Sequence, residues 1–270
     1  MFLYYLLLKN SRKKTQNTMN LRVLLTLLFV AFDCILGHMN SQYRIVNGRP
    51  STIAESPYMV TLQHITNTKE CFCGGALITD ERVVTAAHCV KRYEKNSVIV
   101  VAGVTYLTEP GQRRAVEFAI HPENYDIPIR HMDVGVIKVC EPFVMGPLVK
   151  TIPLCESELK SGTKMQISGW GVRDVKTMEI SNTLQTAEVE IVNKWCCAAR
   201  YWIQSKFLSE TMICAGGGAT DACKGDSGGP GVVNGQLCAI TSWGMGCGSR
   251  YPGVYTTVNN AEVRDFINKT

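Results

Sequence analysis

From Gly48 onward, apolar and polar positions alternate in short runs. "YMVTLQHI" (58–65), "ALIT" (76–79), "RVVTAA" (82–87), "SVIVVAG" (97–103), "AVEFAI" (115–120) and "VGVIKV" (134–139) are β-branched or alternating. "KMQISGW" (164–170), "LQTAEVEIV" (184–192), "GVVNGQLCAITSWG" (231–244) and "GVYTTV" (253–258) continue the series. A period of two sends successive side chains to opposite faces, so each run predicts a strand. Turn residues close the runs at short intervals, which predicts an all-β sandwich or barrel. In "VVNGQL" an Asn-Gly pair between apolar residues predicts a two-residue hairpin turn. Only the end, "NNAEVRDFIN", predicts a helix: Asn259 or Asn260 can cap it, and Val263, Phe266 and Ile267 share one face. No Pro/Gly-rich linker divides the body. "CEPFVMGPLVKTIPLCE" (140–156), with three prolines, is the expected connection between two β halves.

Ahead of this body the pattern changes. "LRVLLTLLFVAFDCIL" (21–36) is an apolar core behind Arg22, followed by the small residue Gly37, and reads as a secretory leader over residues 1–37. Met19, just before it, is an alternative start of translation. Asp33 interrupts the run before the roughly 18–20 apolar residues that a spanning helix needs. A cleaved leader is therefore expected in preference to a membrane anchor. Charge follows the same division. Removing the six Lys/Arg and one Asp of residues 1–44 from the totals of 28 and 23 leaves 22 of each. The body is formally neutral, and nothing in its net charge calls for a nucleic-acid partner. The chain has twelve cysteines, without paired CxxC motifs or HExxH, so disulfides in an oxidising compartment are expected rather than zinc.

"ACKGDSGGPG" (222–231) sets Ser227 between an aspartate and two glycines. Such residues are common turn formers. A serine nucleophile also needs a base and a group that orients the base. The chain has five histidines, His38, His64, His88, His121 and His131, and none follows Ser227. That order excludes the strand-turn-helix hydrolases that share a G-x-S-x-G pattern, whose histidine comes after the serine. His38 lies in the leader region, His64 among polar residues, and His121 and His131 near turns. His88 ends the run "VVTAAHC", beside Cys89, which a disulfide would tether.

Eight motifs then occur in order: "IVNG" (45–48), "CGGALI" (73–78), "TAAHC" (85–89), "DVGVIKV" (133–139), "SGWG" (168–171), "GDSGGP" (225–230), "SWG" (242–244) and "PGVY" (252–255). Residues 45–270 thereby resemble a trypsin-like member of the chymotrypsin family of serine proteases. The resemblance implies two six-stranded antiparallel β-barrels with a C-terminal helix, and a catalytic site between the barrels. It implies Ser227 as nucleophile, His88 as base and then acid, and Asp133 as the group that orients His88, with Ser242 helping to hold Asp133. The backbone N–H groups of Gly225 and Ser227 would form the oxyanion hole. Asp226 would pair with the α-amino group of Ile45, freed by cutting after Arg44, so that residues 38–44 form a short activation peptide.

By the same resemblance Asp221 is the floor of the primary pocket, Gly244 and Gly253 its open walls, and Ser242 and Trp243 part of its lining. A negative floor in an open slot implies cleavage after Arg or Lys. Ala222 removes one hydroxyl next to the floor, which would favour Arg over Lys. Lys224 at the mouth would disfavour basic neighbours of the cut. Three disulfides are implied: Cys73–Cys89, Cys197–Cys214 and Cys223–Cys247. The bridge often found between the "SGWG" strand and the strand after "GDSGGP" is missing, with Met165 and Val233 in its places. Cys71, Cys140, Cys155, Cys196 and Cys238 remain, an odd number. One at least is free, or bonded to another chain or to Cys34. Cys155 with Cys238 is the pairing favoured, though sequence does not decide it. Val104 and Arg113 stand where some trypsins carry calcium-binding glutamates, so no calcium, and no other cofactor, is expected. The expected partners are peptide or protein substrates with Arg or Lys at the cut, an activating trypsin-like protease or the enzyme itself, and protease inhibitors. Two other readings compete: an inert homologue that only binds proteins, and a protease tethered to a membrane by its leader.

Overall fold

A computed structural model describes residues 48–92, 94–174, 177–218 and 222–270. Arg44, Ile45, Asp221 and the whole leader lie outside the described residues.

Among the described residues, fifteen strands make two closed barrels and a small hairpin. β1 (Arg49–Pro50) is a short edge piece. β2 (Met59–His64), β3 (Asn67–Leu77), β4 (Arg82–Thr85), β5 (Val98–Ala102), β6 (Gln112–Ile120) and β7 (Gly135–Val139) close the first barrel in the order β2-β3-β4-β7-β6-β5. β8 (Lys164–Gly169) begins the second barrel, and β9 (Val172–Asp174) pairs with β10 (Glu179–Ile180) outside it. β11 (Gln185–Val192), β12 (Met212–Ala215), β13 (Pro230–Val233), β14 (Gln236–Trp243) and β15 (Gly253–Thr257) complete it. Its order is β11-β12-β15-β14-β13-β8, closed by β8 on β11, with β1 added to β11. All these pairings are antiparallel. Asn234 and Gly235, both at positive φ (51° and 74°), turn β13 into β14, the backbone that the Asn-Gly pair predicts.

Alternation along β2 explains how one strand serves two packing layers. Val60 and Leu62 point into the first barrel's core, beside Val100 and Ala102. Met59 points the other way, into a cluster with Trp170 and Leu184. The first core also takes in Leu237, Ile240, Val263 and Ile267, so apolar packing runs without a break from one barrel to the other and to the last helix.

Among the described residues three α-helices stand outside the barrels: α1 (Ala87–Lys91), α2 (Lys194–Trp202) and α3 (Ala261–Lys269). The sequence pattern predicted only α3, which Asn260 caps by accepting from Glu262 N and Val263 N. α2 corrects that reading. Asn193 caps it in the same way, accepting from Trp195 N at 2.9 Å and Cys196 N at 3.4 Å. α1 removes Ala87 from the run expected as strand, and His88 sits in this short helix rather than at a strand end. β3 begins nine residues earlier than the predicted run at Ala76, because its glycines and cysteines mask it. A Cβ on Gly75 would lie 2.6 Å from Val83 Cγ1, so the close approach of β4 requires a glycine there. Residues 140–156 carry no strand and join the barrels. No helix among the described residues is long and apolar enough to cross a membrane.

Candidate active site

Asp133 has a fully buried side chain just before β7. Its Oδ1 accepts from the backbone N of His88 at 2.9 Å, and its Oδ2 lies 2.8 Å from His88 Nδ1. A carboxylate only accepts, so Nδ1 carries the hydrogen, which leaves Nε2 as the accepting nitrogen of the neutral imidazole. Ser242 Oγ donates to Oδ2 at 2.5 Å, and Thr256 Oγ1 donates to the Asp133 carbonyl at 2.9 Å. Burial by itself would raise the Asp133 carboxyl. The His88 contact, the Ser242 hydroxyl and the His88 N–H outweigh it and hold the group below its ordinary range. His88 is 21% exposed, so the imidazole reaches the cleft while its partner stays dry. The Cys73–Cys89 disulfide ties α1 to β3. Cys73, His88 and Cys89 also form a compact group of potential metal donors, but the two sulfurs are bonded to each other.

Ser227 is half-buried in a loop packed against the segment that leads into α1. Gly74 N donates to Ser227 O at 2.8 Å, and Gly228 N to Thr241 O at 2.8 Å. Gly228 has φ +77°, and a Cβ there would fall 2.1 Å from Thr85 Oγ1 and 2.7 Å from Gly74 O. The serine loop therefore rests on the end of β4, immediately before the helix of His88. Ser227 also lines a cavity of about 260 Å³ with Ser242, Trp243, Gly244 and Gly253. Ser242 is common to this cavity and to the carboxylate of Asp133. A Cβ on Gly244 would meet nothing nearer than Gly253 Cα, at 3.9 Å, so a larger side chain there would fill the slot itself. The cavity frame is fastened by Cys223–Cys247.

Gly225 has φ +95°, a conformation suited to glycine, and a Cβ there would lie 3.0 Å from Gly171 Cα. Asp226 is 3% exposed. Its Oδ1 accepts from Gly171 N at 2.8 Å and its Oδ2 from Cys223 N at 2.9 Å. Among the described residues it has no cationic partner. Burial outweighs the two N–H bonds and pushes its carboxyl up to about 6. Sequence reasoning did not find the supports Gly74, Gly171 and Thr256. Gly171 stood in a quoted motif, but nothing local connects it to a carboxylate 55 residues away. Cys71, also unassigned, is a buried free thiol whose Sγ lies 3.1 Å from Cys73 O and 3.7 Å from Gly225 O. Burial pushes that thiol up to about 12.

The structure also contains Cys197–Cys214 and Cys155–Cys238. Cys196 is disulfide-bonded, and Cys140 is free and exposed.

Comparison with known proteins places this geometry. The family profile described as Trypsin matches residues 45–267. A trypsin of Sarcophaga bullata is 38% identical over 229 residues, 84% of this chain and 89% of the relative. Seminase of Drosophila melanogaster is 39% identical over 232 residues, 84% and 82% of the two chains. Among solved structures, neuropsin, a serine protease expressed in the limbic system of mouse brain, superposes with a TM-score of 0.73 at 34% identity, covering 83% of this chain and 98% of its own. An inactivated protease paralogue of the scabies mite gives a TM-score of 0.75 at 26% identity, covering 83% and 97%. With the family profile spanning both barrels, and the curated relatives matching most of the chain, this protein belongs to the trypsin family and is a serine endopeptidase.

Proposed function

We propose that the protein is a secreted zymogen whose active form cuts peptide bonds after Arg or Lys. Ser227 Oγ attacks the scissile carbonyl carbon while its proton passes to His88 Nε2. Asp133 holds Nδ1–H and stabilises the imidazolium that forms. The N–H groups of Gly225 and Ser227 receive the developing oxyanion. His88 then protonates the leaving amine, and a water molecule repeats the sequence to release the acid and regenerate Ser227. The observation that carries this reading is the continuous bonding from Ser242 through Asp133 to His88, with Ser242 and Ser227 lining one cavity. The mite paralogue is a reminder that the fold alone does not make a protease. This chain retains all three residue types, His88, Asp133 and Ser227.

Two further roles rest on motif and electrostatics. Asp221 would supply the negative floor of the slot between Gly244 and Gly253. Ile45, released by a cut after Arg44, would bring an ammonium to Asp226, whose buried carboxyl has N–H donors but no cation among the described residues. Residues 1–37 would then be the leader and 38–44 the activation peptide. A trypsin-treated sample, stained with a fluorophosphonate and assayed on Arg, Lys and Leu peptides, tests the whole reading. Labelling at Ser227 with cleavage after Arg and Lys is expected. Labelling with preferred cleavage after Leu would overturn the specificity, and no labelling would overturn the mechanism.

A further inference from the structure

A second cavity, about 420 Å³, opens beside the first and shares Trp243 and Gly244 with it. Its other walls come from two separate segments, Pro128–Arg130 and Ser205–Ser209. Ile129 and Phe207 are 77% and 71% exposed, an unusual degree for large apolar side chains at one rim. The cavity also carries two cations. Lys206 Nζ lies 5.8 Å from the centre of the Trp243 ring, the shared wall. Arg130 Nη1 donates to Tyr125 Oη at 3.3 Å, and Lys91 Nζ stands 5.3 Å from the centre of that tyrosine ring. Lys224 lines the first cavity. Two carboxylates act on this wall from outside the lining: Asp126, whose Oδ1 accepts from Arg130 N at 2.8 Å, and the buried Asp133, which with Asp126 adds to the effect of burial in raising the Tyr125 phenol. Neither cavity has a carboxylate among its described lining residues.

We propose that this second cavity selects an acidic side chain a few positions before the cut, through Arg130 and Lys206. The inference rests on the trypsin-like reading above and names a substrate class within it. A substrate whose cut residue fills the first cavity presents its carbonyl to Ser227. The chain after the cut leaves past Ser227, which the second cavity lacks. The chain before the cut would then run along Trp243 and Gly244, the wall that both cavities share. A carboxylate there would meet two cations from separate wall segments, and its methylene stem would lie on Trp243, Phe207 and Ile129. A basic side chain meets the same two cations unfavourably. The substrate class is therefore a peptide with a basic residue at the cut and Glu or Asp shortly upstream.

The test is a set of fluorogenic peptides with Arg fixed at the cut and Glu, Gln or Lys placed in turn at each of the preceding positions. These ion pairs are exposed, so the effect is moderate: kcat/KM for Glu should exceed Gln by about 5-fold at the best position, and Lys should fall below Gln. Raising salt should shrink the preference. In an Arg130→Gln/Lys206→Gln variant the Glu-to-Gln ratio should fall to about one. Equal or poorer cleavage of the Glu peptides, or a ratio that survives in the double variant, overturns the proposal while Arg cleavage itself stands. Failure to cut any Arg peptide, including the Gln control, overturns the underlying specificity and this inference with it.

Discussion

Asp133 and Asp226 are both buried carboxylates, and their surroundings push them in opposite directions. Asp133 has an imidazole and a hydroxyl, which outweigh burial and hold it low. Its stabilising contribution is present above the ordinary carboxylate range and is lost as pH falls through its depressed value. Asp226 has two backbone N–H donors, which do not outweigh burial, and sits at about 6. The sign reverses: in the uncut precursor its contribution is present below the unfolded value of about 3.9 and is lost as pH rises through about 6. The difference of about two pH units corresponds to about 3 kcal/mol. Urea titrations of the Ser227→Ala precursor, which cannot digest itself, should show that loss relative to Ser227→Ala/Asp226→Asn between pH 4 and 7. A constant gap between the two proteins would contradict it. The Ser227→Ala change itself should leave a folded protein that binds Arg ligands and retains only the part of catalysis that does not need the nucleophile, about 10³–10⁴-fold over water. Turnover near the parent's rate would remove Ser227 from the mechanism. The identities of these residues were legible because "GDSGGP" and "TAAHC" are contiguous in the chain. Their supports were not, because Gly171, Thr256 and Gly74 are brought in by barrel closure rather than by sequence proximity.

At the level of elements, legibility followed periodicity and length. Strands such as β5 and β15 announce themselves through β-branched runs, and the β13–β14 hairpin through its Asn-Gly pair. β12 is only four residues, "MICA", and β3 hides behind Gly74, whose Cβ position lies 3.2 Å from Gly229 Cα in the serine loop, and Gly75, where Val83 of β4 leaves no room for a side chain. The missed helix α2 carried one readable sign, Asn193 ahead of "KWCCAAR", but Cys, Trp and Tyr have middling helix propensity and no long apolar stripe reinforces it. Burial of Cys197 and Tyr201, the Cys197–Cys214 bridge and the Asn193 cap hold the helix instead. Asn193→Ala should then cost about 1 kcal/mol through two lost cap bonds, read as a lower denaturation midpoint. Cleavage of Arg peptides should persist, since neither described cavity of the cleft is lined by Asn193. An unchanged midpoint would mean that the disulfide alone secures the helix.

Across the whole molecule, the two barrels are joined by a continuous core, and the candidate catalytic groups come from both: His88 and Asp133 from the first, Ser227 and Ser242 from the second. Motif order made this arrangement legible. The link between Asp226 and the substrate slot emerges from the coordinates. Asp226 accepts from Cys223 N, Cys223 is bonded to Cys247, and both cysteines line the cavity beside Ser227. An ammonium delivered to Asp226 by a cut after Arg44 would neutralise a buried charge at the root of that frame, and the released energy would favour the frame that binds substrate. Any ligand that binds this frame better must, by linkage, bind the cut protein more tightly. The Ser227→Ala precursor, treated with a second trypsin-like protease, should therefore bind benzamidine more tightly than before treatment, by about 5- to 150-fold, the usual range of such couplings. Ser227→Ala/Asp226→Asn should be cut at the same bond, verified by a new amino terminus at Ile45, yet show little tightening. Arg44→Gln should resist the cut and stay at the weaker affinity. Equal benzamidine affinity before and after a verified cut would show that the amino terminus and the slot are not coupled, and the zymogen reading of Asp226 would fall.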